Sequence, residues 1–163
     1  MKKILGLLFV LALIPTTGFA KARTLPEGGD RSNAISLEIL GRGGLWSINY
    51  DKMVTDDIAV GGGFSFLSTS STFIGPSATI IIIPIYMDYF FGSGNFRPFA
   101  TGGFDIVTAS GSSYGYLGSG VAFDIGAGVE YRGESGFLFR AAPYFFFGSG
   151  SGITVGASVG YAF

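Results

Sequence analysis

The chain has 163 residues, 48% hydrophobic and 16% aromatic, with 28 glycines and only 13% charged residues. A soluble domain carries roughly a quarter charged residues, so the balance points to an apolar exterior. With no cysteine and no histidine, disulfide cross-links, thiol chemistry and imidazole-based catalysis are excluded from the outset.

The N-terminus begins with a basic Lys2-Lys3 pair and an apolar run from Ile4 to Ile14, broken by Pro15, with the small-residue site Gly18-Phe19-Ala20 behind it. This reads as a secretory signal peptide over residues 1–20, cleaved after Ala20 or Ala22. Its apolar run is shorter than the ~20 residues a spanning helix needs. Removing Lys2 and Lys3 from the 10 basic residues leaves 8 against 11 acidic ones, a net charge of −3. Such a balance does not attract nucleic acid. Residues 21–33, "KARTLPEGGDRSN", lack periodicity and read as a flexible tail.

From residue 34 to 163 the pattern is alternation punctuated by glycine and serine, with no helical period. The first segment, about 34–42, sets Ile35, Leu37 and Ile39 against Ser36, Glu38 and Arg42. A "GRGG" turn leads to 45–54, where Trp46, Ile48 and Tyr50 alternate with Ser47, Asn49 and Asp51. Segment 58–67 follows, then a loop near 68–77 and the segment 78–91, with Asp88 on the face opposite Ile81, Ile83, Ile85, Met87 and Tyr89. In 96–107, Arg97, Thr101 and Asp105 oppose Phe96, Ala100, Phe104 and Ile106. A second long loop is expected near 108–118. The stretch "FDIGAGVEYR", 123–132, then places Asp124, Glu130 and Arg132 opposite Phe123, Ile125, Ala127, Val129 and Tyr131. The last two segments, 137–147 and 153–163, set Leu138, Arg140 and Tyr144 against Phe137, Phe139 and Phe145, and small residues against Ile153, Val155, Val159, Tyr161 and Phe163.

Alternation alone leaves open which face is wet. A soluble lipocalin-like barrel points its apolar face inward; a transmembrane barrel inverts it. Eight strands enclose a space only just wide enough for side chains, and Trp46, Tyr50, Tyr89, Phe104, Phe123, Tyr131, Phe137, Phe139 and Phe145 together overfill it. The other face is mostly small residues plus Glu38, Arg42, Asp88, Arg97, Asp105, Asp124, Glu130, Arg132 and Arg140. Acids and bases are both present, as an enclosed polar interior requires, because an unpaired buried charge costs several kcal/mol. The expected fold is therefore an all-β, eight-stranded antiparallel up-and-down transmembrane barrel with a polar, plugged lumen. Constant strand faces bring Arg140 near Glu130 and Asp88 near Arg97. Pro84, Pro98 and Pro143 fall inside strands, where each removes a ladder donor, so bulges or shortened strands are expected there. Tyr50, Tyr89, Phe91, Phe96, Tyr131, Phe137 and Tyr161 gather at the rim of the termini as an aromatic girdle, with the long loops on the opposite side.

The eight-segment pattern, the mixed-charge face and the terminal "VGYAF" resemble the small outer-membrane β-barrel family of Gram-negative bacteria, the OmpA/OmpX type. The resemblance covers 34–163 and is architectural. It implies residence in the outer membrane; the barrel is expected to contact its lipid and to be a monomer. It also implies recognition of Tyr161 and Phe163 by the barrel assembly machinery as a C-terminal signal. Barrel enzymes of this kind, such as lipid A deacylases, palmitoyltransferases and omptin proteases, need a histidine that is absent here.

Other chemistry is equally bare. Lys21 and Lys52 are badly placed for a Ser/Lys pair, and Asp124 and Glu130, six residues apart on one strand, stand ~20 Å from each other. The "GSGSG" run lacks the Lys-Ser/Thr of a phosphate loop, and neither a zinc cluster nor an EF-hand spacing occurs. No cofactor or metal is expected. The sequence points to a non-enzymatic barrel with a structural role, or a surface role through loop aromatics Phe73, Tyr114 and Tyr116. The alternatives are a small-solute channel, a carrier of a hydrophobic ligand, or a soluble exported binding barrel.

Overall fold

The computed structural model describes residues 31–69, 78–92, 94–111, 115–148 and 151–163. The segment expected to be a signal peptide, most of the expected tail, Phe73, Tyr114 and the side chain of Tyr116 lie outside the described residues.

Eight strands form: β1 Asn33–Ile39, β2 Trp46–Met53, β3 Ile58–Thr69, β4 Ala78–Phe90, β5 Phe96–Gly111, β6 Gly115–Arg132, β7 Phe137–Phe147 and β8 Gly152–Ala162. Each pairs antiparallel with its neighbour in sequence, and β1 pairs with β8 to close the barrel. Reciprocal backbone hydrogen bonds between Asn33 and Phe163 bring both ends of the barrel to one rim. Even-numbered strands end at that terminal rim, whereas odd-numbered strands end at the opposite, loop rim.

Polarity is inverted relative to a soluble barrel. The outer surface carries Ile35, Leu37, Ile48, Phe64, Ile85, Phe123, Ile125, Phe139, Phe145 and Val159, all exposed, while every charged residue expected on the small-residue face is buried. The seven girdle aromatics are all exposed. Phe96 stands opposite Tyr131 and Phe137 opposite Tyr161, and the Tyr89 and Phe91 rings meet edge to face at 4.9 Å.

Several expectations need correction. The first strand stops at Ile39, and Arg42 reaches the interior from the following turn. The stretch read as a loop near 108–118 is mostly strand: Thr108 pairs with Ser119 and Ala109 with Gly118, and pairing resumes at Ser110↔Tyr116 after a register shift. Its serines and glycines imitate loop composition, but backbone pairing asks only for extended geometry. At the described end of the tail, Arg31 donates to the Gly133 carbonyl at 3.1 Å, and β1 begins one residue early, at Asn33.

The prolines do not produce the expected bulges or shortened strands. Around Pro84 the β3–β4 ladder lapses between Gly62↔Ile85 and Ser65↔Ile82 without losing register, and around Pro143 the β6–β7 ladder lapses between Gly126↔Tyr144 and Val129↔Ala141. Glycines flank both lapses. A Cβ on Gly126 would lie 2.6 Å from the Pro143 carbonyl oxygen, so the backbones approach more closely than any other residue type permits.

The wall is uneven. β5 and β6 have 16 and 18 residues, against 7 and 8 for β1 and β2. The barrel is tall on one side and low on the other.

Candidate functional site

Inside the barrel, period-2 alternation aims polar side chains from all eight strands at one axis. Glu38, Arg42, Asp88, Arg97, Asp105, Asp124, Glu130, Arg132 and Arg140 are all buried there, joined by Asp51, Ser47, Asn49 and Ser65.

Toward the terminal rim, Glu130 is the hub. Its carboxylate meets Arg140 at 2.6 Å, Arg97 at 2.7 Å and Arg132 at 3.2 Å. The expected Arg140–Glu130 contact forms, and the two residues are direct partners in the β6–β7 register. The expected Asp88–Arg97 contact does not. Register sets Asp88 opposite Thr101 and Arg97 opposite Glu130, so Asp88 turns instead to Arg140 at 3.0 Å and Arg42 at 3.5 Å. Arg140 also stands 3.6 Å from Asp51.

Toward the loop rim, Arg42 plugs the axis. Its Nε donates to Asp124 at 2.9 Å, and its guanidinium lies 3.8 Å above the Tyr86 ring and 4.8 Å from that of Tyr144. Thr101 Oγ1 accepts from Arg42 and donates to Asp88. Glu38 holds the turn below, accepting from the Arg42 backbone N–H at 3.1 Å and from the Tyr144 hydroxyl at 2.9 Å.

The interior holds more than small and charged residues. Tyr86, Phe90 and Phe99 face inward beside Leu138 and Tyr144. Glycine makes the room: Gly61 and Gly103 flank Tyr86 in register, and a Cβ on Gly61 would lie 2.4 Å from its ring. Phe90 and Phe99 face the cations, with the Arg97 guanidinium 4.1 Å from the Phe90 ring and that of Arg140 5.2 Å from the Phe99 ring. Such stacking stabilises desolvated guanidinium groups. The sequence signal for these inward rings is the even spacing of Tyr86 and Phe90 from Asp88 and of Phe99 from Arg97, which the aromatic character of both faces obscures.

The six buried acids, Glu38, Asp51, Asp88, Asp105, Asp124 and Glu130, face four arginines. Both Asp51 oxygens lack a hydrogen-bond partner among the described residues, as do Asp105 Oδ1 and Asp124 Oδ2. Interlocked side chains of this kind suit a rigid plug. No group of acids among the described residues has the geometry of a metal site.

The class defined by this arrangement is an eight-stranded barrel with an apolar exterior and an ion-paired interior. That fold is shared with small outer-membrane barrels of known structure. The N-terminal β-barrel domain of Pseudomonas aeruginosa OprF superposes with a TM-score of 0.59 at 17% identity, over 80% of this chain and 95% of that one. Neisserial surface protein A (NspA) gives 0.56 at 12% identity, covering 80% and 93%. Ail, the attachment invasion locus protein of Yersinia pestis, in complex with the heparin analogue sucrose octasulfate, gives 0.51 at 16% identity, covering 80% and 94%. No protein-family model matches the sequence, nor does any curated protein. At these identities the likeness is one of fold.

Proposed function

We propose that the chain is an integral outer-membrane β-barrel protein without catalytic activity, a monomer whose closed lumen makes it a structural element of the envelope and a platform for its loop rim. One observation carries this reading: thick apolar cover on the outside and desolvated ion pairs within. Water favours the reverse arrangement, and hydrocarbon favours this one. The likeness to OprF, NspA and Ail supports the same placement. Tyr161 and Phe163, exposed at the terminal rim, suit recognition by the barrel assembly machinery.

The lumen argues against the channel alternative, because Arg42, Tyr86 and Tyr144 fill the axis. A polyanion such as that bound to Ail finds no basic counterpart in the outer connections, whose single basic residue, Arg42, is buried in the lumen. Absence of histidine supports the non-enzymatic assignment.

Reconstitution into vesicles tests the reading. The folded chain is expected to partition entirely with lipid, to migrate differently on gels before and after heating, and to give no sustained conductance across a planar bilayer. A chain that stays soluble without detergent refutes the membrane placement; steady current refutes the plug.

A further inference from the structure

We propose that the barrel wall carries a lateral cleft, between β3 and β8 above the β1–β2 turn, that takes one acyl chain of a membrane lipid. The proposal rests on the outer-membrane reading above. Its origin is the uneven wall. Pairing between β1 and β8 ends at Ile39↔Ala157, and pairing between β2 and β3 ends at Ile48↔Phe64. β3 nevertheless continues to Thr69, and β8 starts as early as Gly152. Beyond those points the facing edges of β3 and β8 have no partner strand among the described residues.

The turn forms the floor of this gap, drawn inward by Arg42. A Cβ on Gly44 would lie 3.5 Å from Ile82 Cδ1 and 3.7 Å from Leu67 Cδ1, and one on Gly156 would lie 2.7 Å from the Gly41 Cα. Leu40 takes a left-handed φ of 56°, a conformation in which a bulky residue is an outlier and glycine is easier. The strained position holds a leucine that, with Leu45, is left more than half exposed on the cleft floor. Such strain is a pointer to a role for the side chain.

The cleft has a volume of about 510 Å³ and is lined by Leu40, Gly44, Leu45, Leu67, Thr154 and Val155, a size usual for a small-ligand site. Its lining crosses the wall. Val155 is outward-facing, like Ile153 and Val159, while Leu67 stands opposite the inward Ile80, and Thr154 opposite the inward Tyr144. Behind it the interior changes character: Ile82 and Val107 are register partners on the inward face, above the ionic network. No charged side chain lines the cleft.

The occupant follows from this chemistry. The apolar floor is continuous with the lipid-facing surface through Val155, which favours a hydrocarbon chain arriving from the bilayer. Thr154 Oγ1 is buried there with no hydrogen-bond partner among the described residues. An ester carbonyl at the head of an acyl chain could accept a hydrogen bond from this one hydroxyl.

Photolabelling tests the assignment. The full chain is folded into phosphatidylcholine vesicles containing a trace of phosphatidylcholine with a diazirine in one acyl chain, irradiated, and its adducts mapped by mass spectrometry. The inward-facing Leu67 and Thr154 should be labelled alongside the outward-facing Ile125 and Phe139. Thr154→Phe, and independently Leu45→Glu at the exposed floor, should cut labelling of Leu67 by about tenfold as the cleft fills or becomes charged, leaving Ile125 labelled as before. Adducts at Ile125 and Phe139 with none at Leu67 or Thr154 overturn the cleft while upholding the membrane reading. No adducts at any of the four positions overturn the reading beneath it. Labelling of Leu67 by a diazirine fatty acid added from buffer, but not by the phospholipid, also overturns the proposal.

Discussion

Arg140 and Glu130 face each other across the β6–β7 ladder, 2.6 Å apart and both buried, and Arg140 simultaneously serves Asp88 at 3.0 Å and Asp51 at 3.6 Å. One guanidinium thus neutralises carboxylates from β2, β4 and β6, tying together strands that are not neighbours. Backbone pairing alone holds a barrel by its circumference; this cross-lumen link holds it by its diameter.

Arg140→Met should therefore be among the most damaging substitutions in the lumen. It leaves three desolvated carboxylates short of a partner, and breaking a buried pair from one side costs about 3–5 kcal/mol. Urea unfolding in lipid vesicles, followed by fluorescence of the single Trp46, should show a matching drop in midpoint. Arg140→Met combined with Glu130→Gln should cost less than the two single changes added together, because they share one interaction.

Arg42 supports a prediction about permeation. It comes from a turn rather than a strand, yet fills the axis between Tyr86 and Tyr144 and binds Asp124 and Asp88. Arg42→Ser should remove the plug and free the turn from the lumen. The expected result is sustained current in planar bilayers where the parent chain gives none, with cations favoured by the uncompensated acids. A silent Arg42→Ser barrel with normal gel mobility means that Tyr86 and Tyr144 block the axis by themselves.

Period-2 alternation made much of this legible in advance. All nine charged residues assigned to the inner face are buried: eight lie on strands, where a slip of one residue would turn every charge to the apolar face, and Arg42 reaches in from its turn. The Arg140–Glu130 contact followed from a short turn that fixes register. Asp88 and Arg97 stay apart because Phe90 pairs with Phe99, a register their connecting turn does not reveal. Asp51 shared the polar face of Ser47 and Asn49 but was not recognised as part of the network. Tyr86, Phe90 and Phe99 are not legible from their own strands, because room for a ring such as Tyr86 is supplied by glycines on the neighbouring strands. The tall β5–β6 wall was missed because serine and glycine suggest loops wherever their backbone partners are not visible.

That division of space between strands predicts two unequal glycine substitutions. A Cβ on Gly103 would lie 2.5 Å from the Ile85 carbonyl oxygen and 2.8 Å from Tyr86 Cβ, whereas one on Gly120 meets nothing within 4 Å. Gly103→Ala should destabilise the barrel by about 1–3 kcal/mol, the range for overpacking a filled interior. Gly120→Ala should be near neutral. Equal midpoints for the two variants in the same urea assay would contradict the interleaving of Tyr86 between Gly61 and Gly103.

The orientation of the whole barrel is tested from outside. Ile125 points outward between Gly102 of β5 and Phe145 of β7, whereas Phe137 points outward at the terminal rim opposite Tyr161. Arginine on a lipid-facing strand costs about 2–4 kcal/mol at the bilayer midplane and about 0–1 near an interface. Ile125→Arg should therefore lower the folded fraction in vesicles strongly, and Phe137→Arg much less, although both parent side chains are large, apolar and outward-facing. The contrast matters more than either value. Loss of packing alone would penalise both positions, and a water-exposed surface would penalise neither; only hydrocarbon makes the cost depend on depth. Chains folded in vesicles of shorter-chain lipid should narrow the gap, because a thinner core brings Ile125 closer to water.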